Sequence, residues 1–562
     1  MINKFTKPIT KLNTVRKKIG IKTISKMFQR KTSKYNDLYA FYHIKSGETV
    51  KYTYGEVYEL TTKIAAFLND LGIKKGDHVA IISENRPEWA ISYFAVIWLG
   101  CVAIPLDSKA NIENIEHIIK FAEVKALFYS NSHFQDIQKI QESNTNLIHL
   151  ILMEDFPEIT SKYSSGIEYT EVDENDLSEI LFTSGTTGNP KGVMLSHQNI
   201  MSNVEDVYSF LDINPGDRAF SILPIHHSYE KTGGLLTTFY SGITIYYGRG
   251  LRPRELLEDL KYVKPTIWIN TPLLLEKLIS RIKKELESQK GIKRIILKII
   301  PKSILSKSIK NKLGLSELRL LVSGGAALPD WVFEGFQELG ITIIQGYGLS
   351  ETSPIISANP VSNPKKGSVG MVIQSDEVEI RELDAEKNGE IFLKGPNVMK
   401  GYYNNTDETL SIFTDDGWLK TGDIGYFDSD GYLYITGRKK FVIVTSGGKN
   451  IFPEEIEEKL TRSPLVEEAL VFSPDDKEIQ TIIFPNIDEY KAINNKSSAG
   501  IRDEELYNLL GKEIKTLNRN LETYKRISKF AIKLDEFPKT TTRKIKRFLF
   551  KDTDLNNINS YL

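Results

Sequence analysis

The sequence predicts an α/β protein, with a large N-terminal domain of mainly parallel sheets flanked by helices and a small α+β C-terminal domain behind it. Three observations predict this. The 562 residues are more than one compact core accommodates. Short buried strands alternate with helical patterns along the first third, as βαβ units and parallel sheets require. Near Gly437 the texture changes to two β-rich runs parted by a glycine and a basic cluster.

Taken in order, Tyr52-Thr53-Tyr54-Gly55-Glu56 opens a helical pattern that runs through Ala65 to Leu71. Gly76-Asp77 then turns into the strand-like His78-Val79-Ala80-Ile81-Ile82. A helix with Trp89 and Trp98 follows, and then a short buried strand, Val102-Ala103-Ile104-Pro105. Further buried strands are expected at Ala126-Leu127-Phe128-Tyr129, Thr266-Ile267-Trp268-Ile269 and Leu318-Arg319-Leu320-Leu321-Val322, in an order that periodicity leaves open. The runs Gly431-Tyr432-Leu433-Tyr434-Ile435-Thr436 and Phe441-Val442-Ile443-Val444 read as a hairpin or as the joint between domains. Pro453-Glu454-Glu455-Ile456-Glu457 then starts a helix with acid in its first turn.

Composition narrows the function classes. Hydrophobic residues make up 40% and charged residues 26%, an ordinary globular balance. Lys+Arg and Asp+Glu are both 73, so global charge points away from nucleic acid. The one cysteine, Cys101, excludes an intramolecular disulfide and argues for a reducing compartment. Set in the apolar run 95–105, it reads as a packed core thiol rather than a nucleophile. No stretch approaches the roughly 20 apolar residues of a spanning helix, and the N-terminus lacks the continuous apolar region of a secretory signal. A cytoplasmic location is expected, with peripheral contact on the inner membrane face as an option. The reason is residues 1–35, which carry eleven Lys and Arg (Lys4, Lys7, Lys11, Arg16, Lys17, Lys18, Lys22, Lys26, Arg30, Lys31 and Lys34) and no acid. Ile2, Phe5, Ile9, Leu12, Val15 and Ile19 fall close to helical spacing, so this basic arm could lie on an anionic membrane. The blander readings are a frayed arm, a helix docked on the main body, or a transit peptide. A second basic stretch, 281–312, could strengthen a membrane contact.

The stretch with most chemistry is Leu181-Phe182-Thr183-Ser184-Gly185-Thr186-Thr187-Gly188-Asn189-Pro190 with Lys191 after it. The strand-like 176–182 precedes it, and Val193-Met194-Leu195-Ser196-His197 leads into a helical pattern. A glycine- and hydroxyl-rich loop between strand and helix suits a phosphate. Gly185 and Gly188 let backbone amides approach the anion, the Thr and Ser hydroxyls donate, and Lys191 adds a point charge. The spacing is not that of a Walker A loop. Read alone, the stretch favours the phosphate reading over a solvated linker of turn formers.

Further motifs follow in order: Leu223-Pro224-Ile225-His226-His227-Ser228-Tyr229-Glu230, Ser323-Gly324-Gly325-Ala326-Ala327-Leu328-Pro329, Gln345-Gly346-Tyr347-Gly348-Leu349-Ser350-Glu351-Thr352, Gly417-Trp418-Leu419-Lys420-Thr421-Gly422-Asp423, Gly437-Arg438 and Pro538-Lys539-Thr540-Thr541-Thr542-Arg543-Lys544-Ile545-Lys546-Arg547. From about residue 52 to 547 this set resembles the adenylate-forming superfamily of acyl-CoA synthetases, luciferases and peptide-synthetase adenylation domains. Within it the chain looks most like a long-chain fatty-acid–CoA ligase.

The resemblance implies ATP-dependent joining of a fatty acid to AMP, then displacement of AMP by the thiol of CoA, with Mg²⁺ as the metal. Thr183, Ser184, Gly185, Thr186, Thr187, Gly188 and Lys191 would wrap the β- and γ-phosphates. Glu351 would hold Mg²⁺ with the Thr183 hydroxyl, a hard ion on oxygen ligands. Ser350 stands where the family usually has Thr, another hydroxyl donor. Tyr347, between Gly346 and Gly348, would stack on adenine, with the small Gly324, Gly325 and Ala326 leaving room beside the ring. Asp423 would accept the ribose hydroxyls, and Arg438 would add a planar donor near ribose and phosphate. Lys544 matches the catalytic lysine that bridges carboxylate and α-phosphate; Arg543 before it replaces a common Gly, a pattern shared by long-chain members. His227 aligns with a histidine beside the acyl pocket and Tyr229 with an aromatic near it.

Lys440 matches the hinge about which a mobile C-terminal domain rotates, presenting Gly447, Gly448 and Lys449 to the CoA path. Leu273 takes the place of a frequent Arg, so no local salt bridge is expected there. His226 reads as a partly buried polar residue, and His226, His227 and Glu230 lack the further ligands of a zinc site. The domains implied are a basic arm (1–40), an adenylate-forming domain holding ATP and acid (41–438) and a lid (439–562). Partners are fatty acid, ATP and CoA, no nucleic acid, in a monomer or homodimer. The rivals are acyl carrier protein as acceptor, an aryl acid as substrate, or an inactive membrane-bound lipid-binding scaffold.

Overall fold

A computed structural model describes residues 5–6, 20–45, 48–143, 149–183, 190–288, 300–444, 450–474, 478–494, 503–539, 545–550, 553 and 555. Two large sheets dominate it. One has seven strands in the order Gly401–Tyr402, Lys191–Ser196, Leu177–Thr183, Val102–Pro105, His78–Ile82, Ala126–Tyr129 and His149–Leu152. From Leu177–Thr183 to His149–Leu152 the neighbours run parallel. The other has nine: Met371–Val372, Ile355–Ala358, Thr342–Gly348, Leu320–Ser323, Ile267–Asn270, Arg218–Ser221, Thr244–Tyr247, Tyr39–Lys45 and Glu48–Thr53. It is parallel from Thr342–Gly348 to Tyr39–Lys45 and antiparallel at both ends. The expected mainly parallel α/β architecture is what the chain adopts, and the strands anticipated from short apolar runs are all present.

Between the large sheets lies the helix Pro87–Trp98. Proline in its first turn fits a position that needs no amide donor. Every residue of it except Glu88 is buried, because a helix apolar on all sides must be covered on all sides. The preceding helix, Tyr54–Asp70, starts with a capping box: the Glu56 amide donates to Thr53 Oγ1 at 3.1 Å and the Thr53 amide to Glu56 Oε2 at 2.7 Å. Cys101 is buried beside these helices; its Sγ donates to the Lys74 carbonyl at 3.1 Å, and burial pushes the thiol up to about 12. It is a core thiol, as its setting suggested.

A five-stranded antiparallel sheet follows, ordered Phe5–Thr6, Glu377–Arg381, Gly389–Lys394, Leu419–Phe427 and Leu433–Arg438. The last part of the chain forms a two-stranded ladder, Ile443–Val444 with Asn450–Ile451, and a sheet of Val466–Phe472, Ile479–Pro485 and Ile527–Ile532 covered by helices. No helix among the described residues is long and apolar enough to cross a membrane.

One expectation is corrected and two open readings are narrowed. The phosphate-type loop does not run from strand to helix: Lys191–Ser196 is a strand, antiparallel to Leu177–Thr183, and the helix His197–Phe210 begins only after it. The runs on either side of Gly437 do not form a hairpin. Leu433–Arg438 closes the five-stranded sheet, and a 3-10 turn at Lys439–Phe441 redirects the chain, with the Lys439 ammonium held at 2.6 Å by both Glu382 and Glu390. Within the basic arm, Ile24–Lys34 takes one of the readings left open for it, a helix docked on the main body. Its Ile24, Met27 and Phe28 are buried, with the Phe28 ring against Tyr58, Phe94, Trp98 and Phe239. Its apolar face is therefore spent on the core. Further upstream, Phe5 and Thr6 are not helical but pair with Arg381 and Ile380.

Candidate active site

The hairpin register sets the first half of the site. Thr183 lies opposite Lys191, and the Thr183 hydroxyl reaches the Lys191 carbonyl at 3.5 Å. Lys191 Nζ pairs with Glu408 Oε2 at 2.6 Å and lies 5.3 Å from the centre of the Tyr402 ring. Tyr402 is brought there because Gly401–Tyr402 adds to the edge of Lys191–Ser196, Tyr402 opposite Val193. Its hydroxyl donates to Glu351 Oε1 at 2.8 Å, and burial with this carboxylate raises the phenol well above its ordinary value. Glu351 sits on the 3-10 turn Ser350–Thr352, anchored where the Met399 amide donates to the Glu351 carbonyl at 2.9 Å. That turn follows Gly348, where a Cβ would lie 1.6 Å from the Pro354 carbonyl oxygen, so only glycine fits. Lys191 and Glu351, distant in sequence, thus meet through Tyr402, with Thr183 opposite Lys191 in the hairpin.

The second half is a carboxylate between two donors. Asp423, buried, accepts from the Tyr347 hydroxyl at 2.7 Å on Oδ2 and from Arg438 Nε at 2.9 Å on Oδ1. Strand pairing explains the second contact, since Asp423 and Arg438 face each other across Leu419–Phe427 and Leu433–Arg438. Burial first, and then Asp423, raises the Tyr347 phenol well above its ordinary value. A Cβ on Gly346 would make ordinary van der Waals contact, 3.6 Å from the Ser357 carbonyl oxygen. A Cβ on Gly324 would lie 2.9 Å from Tyr229 Cζ, so the space belongs to the Tyr229 ring, whose hydroxyl donates to the Asn270 and Val322 carbonyls at 3.4 and 3.2 Å. Gly325 does face open space, at φ +84°. The Ala326 carbonyl accepts from Gln345 Nε2 at 3.4 Å.

The third group is the turn Pro224 to Glu230. The Tyr229 amide donates to His227 Nδ1 at 3.3 Å, which leaves the proton of the neutral ring on Nε2. Tyr229–Thr237 winds as a π-helix, a form frequent at functional sites. Half-buried His226 lies 3.7 Å from Asp107 Oδ1, and burial holds it below the ordinary imidazole value. No metal-ligating group of three or more His, Cys, Asp or Glu gathers among the described residues.

A family model described as "AMP-binding enzyme" matches residues 28–403, and one described as "AMP-binding enzyme C-terminal domain" matches residues 440–559. The chain belongs to the AMP-binding enzyme family. It is an acyl-activating, adenylate-forming ligase. A long-chain-fatty-acid–CoA ligase of Bacillus subtilis (strain 168) is 31% identical, over 77% of this chain and 80% of its own. A chloroplastic long-chain-fatty-acid–[acyl-carrier-protein] ligase of Arabidopsis thaliana is 28% identical, over 85% and 78%. ATP-bound MatB from Rhodopseudomonas palustris superposes with a TM-score of 0.77 over 94% of this chain and 99% of its own, at 24% identity, a likeness of fold.

Of the residues anticipated for this AMP-binding enzyme, Lys191 and Glu351 are linked by Tyr402, with Thr183 opposite Lys191 and Ser350 next to Glu351 in the chain, while Tyr347, Asp423 and Arg438 form a second set. Lys440 follows Arg438 at the joint, its ammonium 4.7 Å from the Phe441 ring centre. Ser184, Gly185, Thr186, Thr187, Gly188, Gly447, Gly448, Lys449 and Lys544 lie outside the described residues. Tyr402 and Glu408 escaped the sequence reading. Glu408 had a partial signal, because Asn405 caps the helix Thr406–Ile412 by accepting from the Glu408 amide at 3.2 Å. Tyr402 had none beyond an aromatic after a glycine.

Proposed function

We propose that this AMP-binding enzyme joins a long-chain fatty acid to ATP, giving acyl-AMP and pyrophosphate, and then passes the acyl group to CoA with release of AMP. The observation that supports it most is the linked set Thr183–Lys191–Tyr402–Glu351 standing with Tyr347–Asp423–Arg438 in one fold. The first set suits phosphates. Ser184, Gly185, Thr186, Thr187 and Gly188 wrap the β- and γ-phosphates, and Lys191 exchanges Glu408 for them, giving up one carboxylate for a more highly charged anion. The second set suits a nucleoside: Asp423 accepts the ribose hydroxyls, Arg438 donates to ribose or phosphate, and the Tyr347 ring stacks on adenine beside Gly325 and Ala326.

The Glu351 carboxylate and Thr183 hydroxyl are the hard oxygen donors that Mg²⁺ takes, and Mg²⁺ characteristically uses one or two carboxylates and completes its shell with phosphates and water. When bound, it supplies neutralisation of phosphate charge. Lys544 bridges the acid carboxylate and the α-phosphate; at about 4 Å such a charge contributes about 4 kcal/mol at an effective dielectric of 20. His227 and Tyr229 border the acid. Residues 439–562 act as a lid that turns at Lys440 and lays Gly447, Gly448 and Lys449 along the thiol path. The long-chain assignment draws on the Bacillus subtilis relative, and each buried CH₂ adds about 0.8 kcal/mol to acid selectivity. A second reading keeps the adenylation and makes acyl carrier protein the acceptor, which the Arabidopsis relative favours.

The test is pyrophosphate release over free acids from C6 to C20, benzoate and coumarate, with and without CoA. A maximum at C14–C18 with acyl-CoA as product is the expected result. Acyl transfer only to carrier protein selects the second reading, a maximum on the aromatic acids selects an aryl substrate, and silence throughout overturns the ligase reading.

A further inference from the structure

Glu179 and Lys231 form an ion pair in which neither side chain exposes any surface. The Tyr93 hydroxyl, also buried, donates to Glu179 Oε2 at 3.3 Å. The pair crosses between the two large sheets. Glu179 lies on Leu177–Thr183 in the seven-stranded sheet, flanked by Ala103 and Leu195, whereas Lys231 lies on the π-helix Tyr229–Thr237, which packs on the nine-stranded one.

Its position relative to the site is specific. From Glu179 to Thr183 the ladder with Lys191–Ser196 is in unbroken register. Glu179 therefore shares a face with Thr183, about 13 Å along a regular strand. On the helix side, the Lys231 amide donates to the His227 carbonyl at 2.9 Å, so the ammonium and the histidine belong to one turn. One partner is rigidly tied to the phosphate-type loop, and the other to the acid-side histidine. Stability does not account for such a pair: desolvating two charges offsets their attraction, and apolar residues of like volume serve a core as well. What an ion pair adds is direction, because a carboxylate and an ammonium accept few mutual placements while apolar side chains slide.

We propose that Glu179 and Lys231 are positioning residues that hold the Thr183 strand in register with the His227 turn, so that phosphate and acid meet at reacting distance. The proposal rests on the ligase reading given above. A displacement near 1 Å at a reacting pair costs about 100-fold in rate.

The experiment compares full-length wild type with Glu179→Leu/Lys231→Met, Glu179→Asp and the reversed pair Glu179→Lys/Lys231→Glu. Acid-dependent ATP–pyrophosphate exchange is resolved into kcat and the two KM values, beside melting temperature. The apolar double variant should melt close to wild type yet lose roughly 10- to 100-fold in kcat, with KM for ATP and acid within about twofold. Glu179→Asp, which keeps the charge and withdraws it by one methylene, should lower kcat with little change in melting, and it decides the matter if the double variant does not fold. Recovery of kcat in the reversed pair supports the proposal further. Wild-type kcat in a folded double variant or in Glu179→Asp overturns it, as does a loss confined to one KM. Wild-type silence with every acid overturns the ligase reading and this proposal with it, whereas an active wild type with unaffected variants overturns the pair alone.

Discussion

Burial pushes the Glu230 carboxyl up to about 8, although the Ser221 hydroxyl donates to it at 2.5 Å and pulls the other way. Between its ordinary value near 4.5 and about 8, the folded protein holds this proton and the unfolded chain does not. Unfolding then releases a proton, so stability is full below pH 4.5 and falls as pH rises toward 8, by up to about 1.4 kcal/mol per pH unit. Glu230→Gln should remove this slope; urea midpoints of both proteins from pH 5 to 8 measure it, and parallel curves would refute the assignment. A Cβ on Gly234 would lie 2.6 Å from the Glu230 carboxyl carbon, so the glycine is what admits the buried acid. At this scale the sequence was readable where a motif announced chemistry, as at Asp423 and Glu351. It was silent at Glu179 and Lys231, because one Glu and one Lys in apolar surroundings carry no mark of their pairing until strand and helix meet.

The helix Ile24–Lys34 shows what pattern alone leaves open. A pattern of Lys and Arg among Ile, Met and Phe satisfies a lipid surface and a protein core equally, since both are apolar partners; here even Lys31 is buried with the apolar face, its ammonium 3.4 Å from the Tyr240 ring centre. The core took it, through Phe28 and four aromatic neighbours. Phe28→Ala should cost about 3–5 kcal/mol, the range for removing a buried ring, and lower the denaturant midpoint without changing its slope. A loss under about 1 kcal/mol would mean that the helix is peripheral to the core. Strands such as His78–Ile82 and Ala126–Tyr129 were legible because central parallel strands are buried on both faces and read as short unbroken apolar runs. Lys191–Ser196 was not, because it carries the lysine and glycine of the loop at one end and the serine cap of a helix at the other.

Across the whole molecule, the contacts that join the residues beyond Lys440 to the rest include polar ones. Lys284 meets Glu489 at 2.7 Å, and Asn450 meets Asp384 at 3.4 Å. An exposed ion pair such as Lys284–Glu489 contributes about 0–1 kcal/mol, so it would oppose the proposed turn at Lys440 only weakly. On that basis Lys544→Ala should reduce acyl-AMP formation about 1000-fold, matching the 4 kcal/mol of its charge. Thiolysis of supplied acyl-AMP should stay within a few-fold of wild type, and equal loss in both half-reactions would refute the role. The order of the two large sheets was beyond sequence reasoning, since strand neighbours are chosen by packing across the whole chain. That order has a temporal side. The strand Tyr39–Lys45 takes its parallel partner from Thr244–Tyr247, Phe41 opposite Ile245. At ribosomal rates of about 5–20 residues per second, the partner emerges roughly 10–40 s later. During synthesis the N-terminal hairpin waits with its inner edge unpaired, so the first strands made are among the late ones to be closed, and nascent-chain chaperones have a defined interval in which to guard them.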